Sequence, residues 1–193
     1  MLEVCQRNNY PQIPQLSCSK PCNVEDTVFE IVPSSATGTK RALLIGCNYP
    51  GMPFELTSCH GDVHNMAQFL KNVHGFEDKN IVTLIDDGAH TDPTRKNILR
   101  AIQKFALSSK KGDSCFFLFS GHGGEVEDES GDEATGYDQA LLPTDYLESG
   151  EVIDDEIFKY MLLPLPEGCT LTALGKRACT TVASEFLCEC TAY

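Results

Sequence analysis

The sequence predicts an α/β fold: a mostly parallel sheet with helices on both faces. Short aliphatic runs without polar alternation recur at 41–47, 80–86 and 113–121, and amphipathic helical stretches separate them. Such runs fit strands covered on both faces, and their alternation with helices is the pattern of β-α-β units. The length of 193 residues suits one core with a tail.

The elements follow in order. Residues 1–38 carry Pro11, Pro14, Pro21 and Pro33, few periodic apolar positions, and a small polar stretch, PSSATGT, at their end. They read as a flexible leader without a core of its own. Cys5, Cys18 and Cys22 in this leader fall short of a structural zinc site, which takes four ligands, and no histidine joins them. RALLIGC (41–47) and NIVTLID (80–86) read as buried strands. Between them DVHNMAQFLKNVHG (62–75) spaces Val63, Met66, Phe69, Leu70 and Val73 at helical intervals, with Asp62 near the start and Gly75 as a stop. TDPTRKNILRAIQKFALSS (91–109) opens on a cap signal, tolerates Pro93 in its first turn, and sets Ile98, Ala101, Ile102 and Phe105 on one face. DSCFFLFSG (113–121) is a third strand and QALLPTD (139–145) a short strand or turn. GEVIDDEIFKYMLLPLP (150–166) holds a helix starting near 153–155, and CTLTAL (169–174) is a fourth core strand. In such sheets ligands bind at the carboxyl ends of the strands.

A formal charge of −13 argues against nucleic acid and anionic membranes as partners and favours cationic ones. The ten cysteines, Cys5, Cys18, Cys22, Cys47, Cys59, Cys115, Cys169, Cys179, Cys188 and Cys190, are scattered through strand-like runs, loops and both ends. That scatter is not a secreted disulfide framework, and with no signal pattern it points to a reducing, cytoplasmic setting. No apolar run approaches the ~20 residues of a membrane span.

His122 carries the clearest chemical signal. It follows a strand by two residues and lies among Gly121, Gly123 and Gly124, where backbone comes close to a ligand and an imidazole serves as general acid or base. The stretches KRALLIGCNY, CHGDVHNM, DPTRKNI, FFLFSGHGG, GYDQALLPTD and GEVIDDEIFKYMLLPLPEGCTLTAL together resemble the metacaspases, caspase-like cysteine peptidases, in order and spacing across residues 40–174.

The resemblance implies a caspase-like three-layer fold, incomplete at its C-terminal end, and a set of roles. His122 matches the catalytic histidine that pairs with a cysteine thiolate, and Gly123 the backbone N–H of the oxyanion site. Family members cleave protein substrates after Lys or Arg, and Cys59, Asp62 and Ser120 match the acidic pocket for that side chain. Many members need Ca²⁺, and Asp138, Asp154 and Asp155 match its carboxylates; adjacent aspartates at a helix start also read simply as caps. The family's fourth carboxylate lies in a region absent from these residues. The acidic run EVEDESGDE (125–133) reads as a solvated loop.

The pattern breaks after Leu174. Where the family continues into an Asp-Cys-Cys-His-Ser-Gly type motif, this chain reads GKRACTTVASEFLCECTAY. Counting on from Thr172, Lys176 stands at the pocket aspartate and Ala178 at the nucleophilic cysteine. Cys179 is one residue away, which along a strand turns its side chain to the opposite face. Residues 175–193 therefore read as a non-homologous tail after a large-subunit portion at 39–174, the outcome of a frame change, alternative splicing or an incorrect gene prediction. Three readings follow: a truncated, catalytically inactive cysteine endopeptidase domain; a non-catalytic regulatory or Ca²⁺-binding pseudo-peptidase, self-associating through a sheet edge exposed at Leu174; and a zinc hydrolase built on His60, His64 and His122.

Overall fold

The computed structural model describes residues 37–127 and 136–175 in full and the backbone of 17–18, 176–178 and 183–191. In chain order the elements are β1 (Ser17–Cys18), β2 (Lys40–Gly46), α1 (Cys59–Asn72), β3 (Ile81–Ile85), α2 (Arg95–Ser108), β4 (Ser114–Gly121) and β5 (Gly123–Glu127). They continue with β6 (Tyr137–Leu141), α3 (Tyr146–Ser149), β7 (Val152–Ile153), α4 (Asp154–Ile157), β8 (Thr170–Ala178) and β9 (Ala183–Thr191). Six strands form the main sheet in the order β1-β9-β8-β4-β2-β3, and β5-β6-β7 form a small antiparallel sheet beside it. From β3 through β2 and β4 to β8 every pairing is parallel.

The unbroken apolar strands are explained by burial on both faces. Along β2, Leu43 and Ile45 join one core cluster with Ile98, Ile102 and Phe105 of α2. Ala42 and Leu44, pointing the other way, join a second with Val63 and Leu70 of α1. Each helix presents the residues spaced to meet its face of the sheet, with two corrections to the sequence reading. Phe69 and Val73 face outward, 48% and 64% exposed, because the stripe through Val63, Met66, Ala67 and Leu70 already fills the contact with the sheet. Pro93 precedes α2 rather than entering its first turn: Thr94 is the N-cap, its hydroxyl accepting the Asn97 N–H at 3.3 Å. Helix α1 stops as expected at Gly75, whose φ of +68° suits glycine, with the Phe76 N–H returning to the Leu70 carbonyl at 3.0 Å.

Three further expectations change. The acidic run is not all loop, since Glu125–Glu127 lie in β5 and pair with Tyr137–Gln139 of β6. A surface sheet tolerates charges on its solvent face; residues 128–135 lie outside those described. The edge expected to be open at Leu174 is covered, because β8 runs on to Ala178 and β9 pairs with it antiparallel along its whole length. The leader, apart from Ser17–Cys18 and 37–38, lies outside the described residues, as does Cys179. Among the described residues no helix is long and apolar enough to cross a membrane.

Candidate active site

The parallel strands β2, β3 and β4 end on the same side of the sheet, and the candidate residues gather there. His122 sits between β4 and β5, held at three points. Its N–H donates to the Tyr49 hydroxyl at 3.0 Å, its carbonyl accepts the Leu142 N–H at 3.1 Å, and its ring Nε2 lies 2.8 Å from the Phe54 carbonyl. A carbonyl only accepts, so Nε2 carries a proton. The rings of Tyr49 and Phe54 flank the imidazole at 5.0 and 5.8 Å, and Tyr146 stacks edge-on against Phe54 at 5.6 Å.

Gly123 follows with its N–H directed away from the neighbouring strand. The Leu142 N–H bond to the His122 carbonyl makes Gly123 and Leu141 a non-hydrogen-bonded pair, whose backbone groups point outward from the ladder. Gly121, just before the histidine, has no room for a side chain: a Cβ there would lie 2.9 Å from the Phe119 ring and 3.0 Å from the Tyr49 hydroxyl.

The first turn of α1 brings the other residues to the same end. Ser120 donates its hydroxyl to Asp62 Oδ2 at 2.7 Å, joining two positions far apart in the chain. Cys59, three residues before Asp62 and on the same helix face, is 1% exposed and lies beneath the surface. Its N–H donates to Asn48 Oδ1 at 3.0 Å. Helix α1 reaches this close because Gly46 has no side chain; a Cβ there would meet the Cys59 carbonyl oxygen and Val63 Cγ2, both at 2.9 Å.

Other buried thiols are unsuited to nucleophilic work. Burial, with the charge of Asp86 adding to it, raises the Cys47 pKa well above the ordinary thiol value. Burial pushes Cys115 up to about 11, and burial raises Cys169. These remain protonated thiols at neutral pH.

Strand β8 contributes through its register. Lys176 pairs with Ser120 and Arg177 with Gly121, and Ala178 follows Arg177 as His122 follows Gly121. The backbone thus places Lys176 and Ala178 level with the Asp62–Ser120 pair and with His122, as counting along the sequence expects.

The three remaining carboxylates lie at the small sheet. Asp138 lies in β6, and Asp154 and Asp155 open α4 directly after Ile153, which pairs with Ala140 of β6. Asp138 and Asp154 are 4% and 5% exposed. The donor set is all oxygen and two of its members are buried, which suits a hard cation in kind. In number it falls short: among the described residues no three side chains of metal-ligating type are gathered to hold a metal ion. Asp154 Oδ1 also accepts the Asp155 N–H at 3.1 Å, a local bond at the helix start. The zinc grouping is not assembled either, since the His60 ring pairs with Asp86 while the His122 ring pairs with Phe54. His60 lies inside α1 rather than before it.

Tyr49, Phe54, Asn48 and Asp86 escaped the sequence reading. Position was the signal for three of them: Asn48, Tyr49 and Asp86 lie just past the carboxyl end of β2 or β3, where α/β sheets place their sites, while Phe54 lies further along the loop to α1.

Comparison with known proteins shows the family. Residues 40–183 match the sequence profile described as "Metacaspase, peptidase C14 domain". Metacaspase III c of Phaeodactylum tricornutum is 46% identical over 176 residues, covering 90% of this chain and 52% of that protein. Metacaspase-1 of Scheffersomyces stipitis is 44% identical over 143 residues, 73% of this chain and 36% of that protein. The chain thus spans about half the length, or less, of these relatives. Among solved structures, protein GSU0716 of Geobacter sulfurreducens superposes with a TM-score of 0.58 at 31% identity, covering 73% of this chain and 51% of that one.

Proposed function

The chain belongs to the metacaspase family of C14 peptidases, and from that premise we propose that it carries the histidine half and the acidic pocket of a cysteine endopeptidase site for Arg or Lys substrates. The observation that carries this reading is His122 itself, just past the end of β4, with its ring oriented by the Phe54 carbonyl and its backbone by the Tyr49 hydroxyl. In a complete site a thiolate would attack the scissile carbonyl, and the Gly123 N–H would stabilise the oxyanion. The imidazole, having taken the thiol proton, would return it to the leaving amine. Asp62, oriented by the Ser120 hydroxyl, supplies the carboxylate that a cationic substrate side chain requires.

In this chain we read the site as idle. By the family resemblance alanine stands at 178 where the nucleophile is expected and lysine at 176 where the pocket carboxylate is expected, the Lys176 backbone pairing with Ser120. The chain is expected to leave an Arg-containing fluorogenic peptide uncut; turnover abolished by both His122→Ala and Cys179→Ala would overturn the inactive reading. Fluorescence polarisation with the same peptide checks the pocket. Lys176→Asp should tighten binding by about tenfold, ~1.4 kcal/mol, and Asp62→Asn should cancel the gain. Binding indifferent to both substitutions would refute the pocket.

The burial of Asp138 and Asp154 favours a second element of the reading, a calcium site. Binding would have to draw together Asp138, Asp154 and Asp155, which among the described residues are not gathered into a site, around an ion whose charge would offset two carboxylates withdrawn from water. Calorimetric titration with Ca²⁺ should give a binding heat that Asp154→Asn removes. No heat from the unmodified chain would count against calcium.

A further inference from the structure

We propose that Asp86 is a positioning residue of this site, fixing His122 through Tyr49 and the pocket helix through Asn48 and His60; the inference rests on the reading of His122 as the working histidine. Asp86 follows β3, and its side chain is 6% exposed. Its carboxylate is filled by donors from two other segments. Asn48 N–H lies 2.9 and 3.0 Å from its two oxygens, Tyr49 N–H lies 2.7 Å from Oδ2, and the His60 ring pairs with Oδ1.

These bonds hold an unfavourable backbone. Tyr49 has φ of +54°, and among the described residues it is the one non-glycine with positive φ. A bulky residue adopts that conformation only where its surroundings over-determine it, which is typical of functional sites. What the conformation achieves is visible at the other end of the side chain. The Tyr49 hydroxyl, within a 2% exposed residue, donates to the Leu142 carbonyl at 2.6 Å and accepts the His122 N–H at 3.0 Å. Burial raises its pKa well above the ordinary phenol value, so it stays a protonated donor.

The second arm runs to the pocket. Asn48, held by Asp86 through its backbone, accepts the Cys59 N–H on its side chain, and His60 ties the same helix turn to the same carboxylate. One buried anion thus joins β2, β3 and α1 at the point where His122 and Asp62 must keep their spacing. Asp113 offers a built-in control. It too is a buried carboxylate filled by several donors, yet it sits at the opposite end of β4, away from His122.

The test uses the full chain and nuclear magnetic resonance of the His122 amide and ring nitrogens, with no dependence on turnover. Asp86→Asn is expected to speed exchange of the His122 amide by about tenfold, the loss of one ordinary hydrogen bond, and to reduce the population protonated on Nε2. Asp113→Asn should lower the thermal midpoint without moving either signal. Tyr49→Phe should reproduce the His122 changes, and the double variant Asp86→Asn with Tyr49→Phe should add nothing further, as residues acting in series behave. His122 signals unmoved by Asp86→Asn, moved equally by Asp113→Asn, or changed additively in the double variant would each overturn the proposal. Such a result leaves the peptide-binding test of the pocket unaffected, so the two readings fail separately.

Discussion

Phe119→Ala is expected to destabilise the fold by about 3–5 kcal/mol, the usual cost of deleting a buried aromatic ring. Phe119 is 0% exposed in β4, which lies between β2 and β8 in the main sheet. Its ring occupies the space beside Gly121, so truncation opens a cavity directly under the arm that leads to His122. Sheet strands on both sides and α2 below are tied by their own contacts, so the void has little freedom to collapse. Urea denaturation should show a lower midpoint with an unchanged slope. Phe119→Leu, which retains much of the volume, should cost about half as much. A midpoint equal to that of the unmodified chain would refute the packing argument.

The second large effect is expected at Asp113, 3% exposed at the start of the same strand. Its carboxylate accepts Thr39 N–H at 2.7 Å, Arg41 Nε–H at 2.9 Å and Lys110 N–H at 3.0 Å. Asp113→Ala removes the acceptor from all three donors and should cost about 2–4 kcal/mol. Burial works to raise its pKa, but the Arg41 and backbone bonds outweigh burial and hold it below the ordinary 3.8. The folded protein therefore resists protonation that the unfolded chain accepts. The stabilisation is complete above the unfolded carboxylate value of ~3.9 and is lost as pH falls through the lower folded value. Asp113→Asn should flatten the acid limb of a stability profile measured between about pH 2.5 and 6. An acid limb as steep as before would show that other carboxylates carry it.

Much of this architecture was legible because burial on two faces leaves a local trace. Runs such as LLIG, with every residue apolar, specify a strand covered above and below, and the spacing of Ile98, Ile102 and Phe105 specifies the helix that covers it. His122 was legible for the same reason, standing just past such a run. Where the reading slipped, competing contacts decided. Phe69 and Val73 fit the helical period but lost their place on the sheet to Ala67 and Leu70. Glu125 to Glu127 look like loop by composition, yet the backbone of β6 was there to pair with them.

The sequence by itself determined the alternation of helices with the parallel strands of the main sheet and the histidine at a strand end. Only the tertiary structure decided what surrounds that histidine. Tyr49 reaches Leu142 and His122, Phe54 offers its carbonyl to the ring, and Asp86 clamps Tyr49 from a third segment. These bonds join residues tens of positions apart through single side-chain atoms, and a contact of that kind leaves no periodicity in the chain to read.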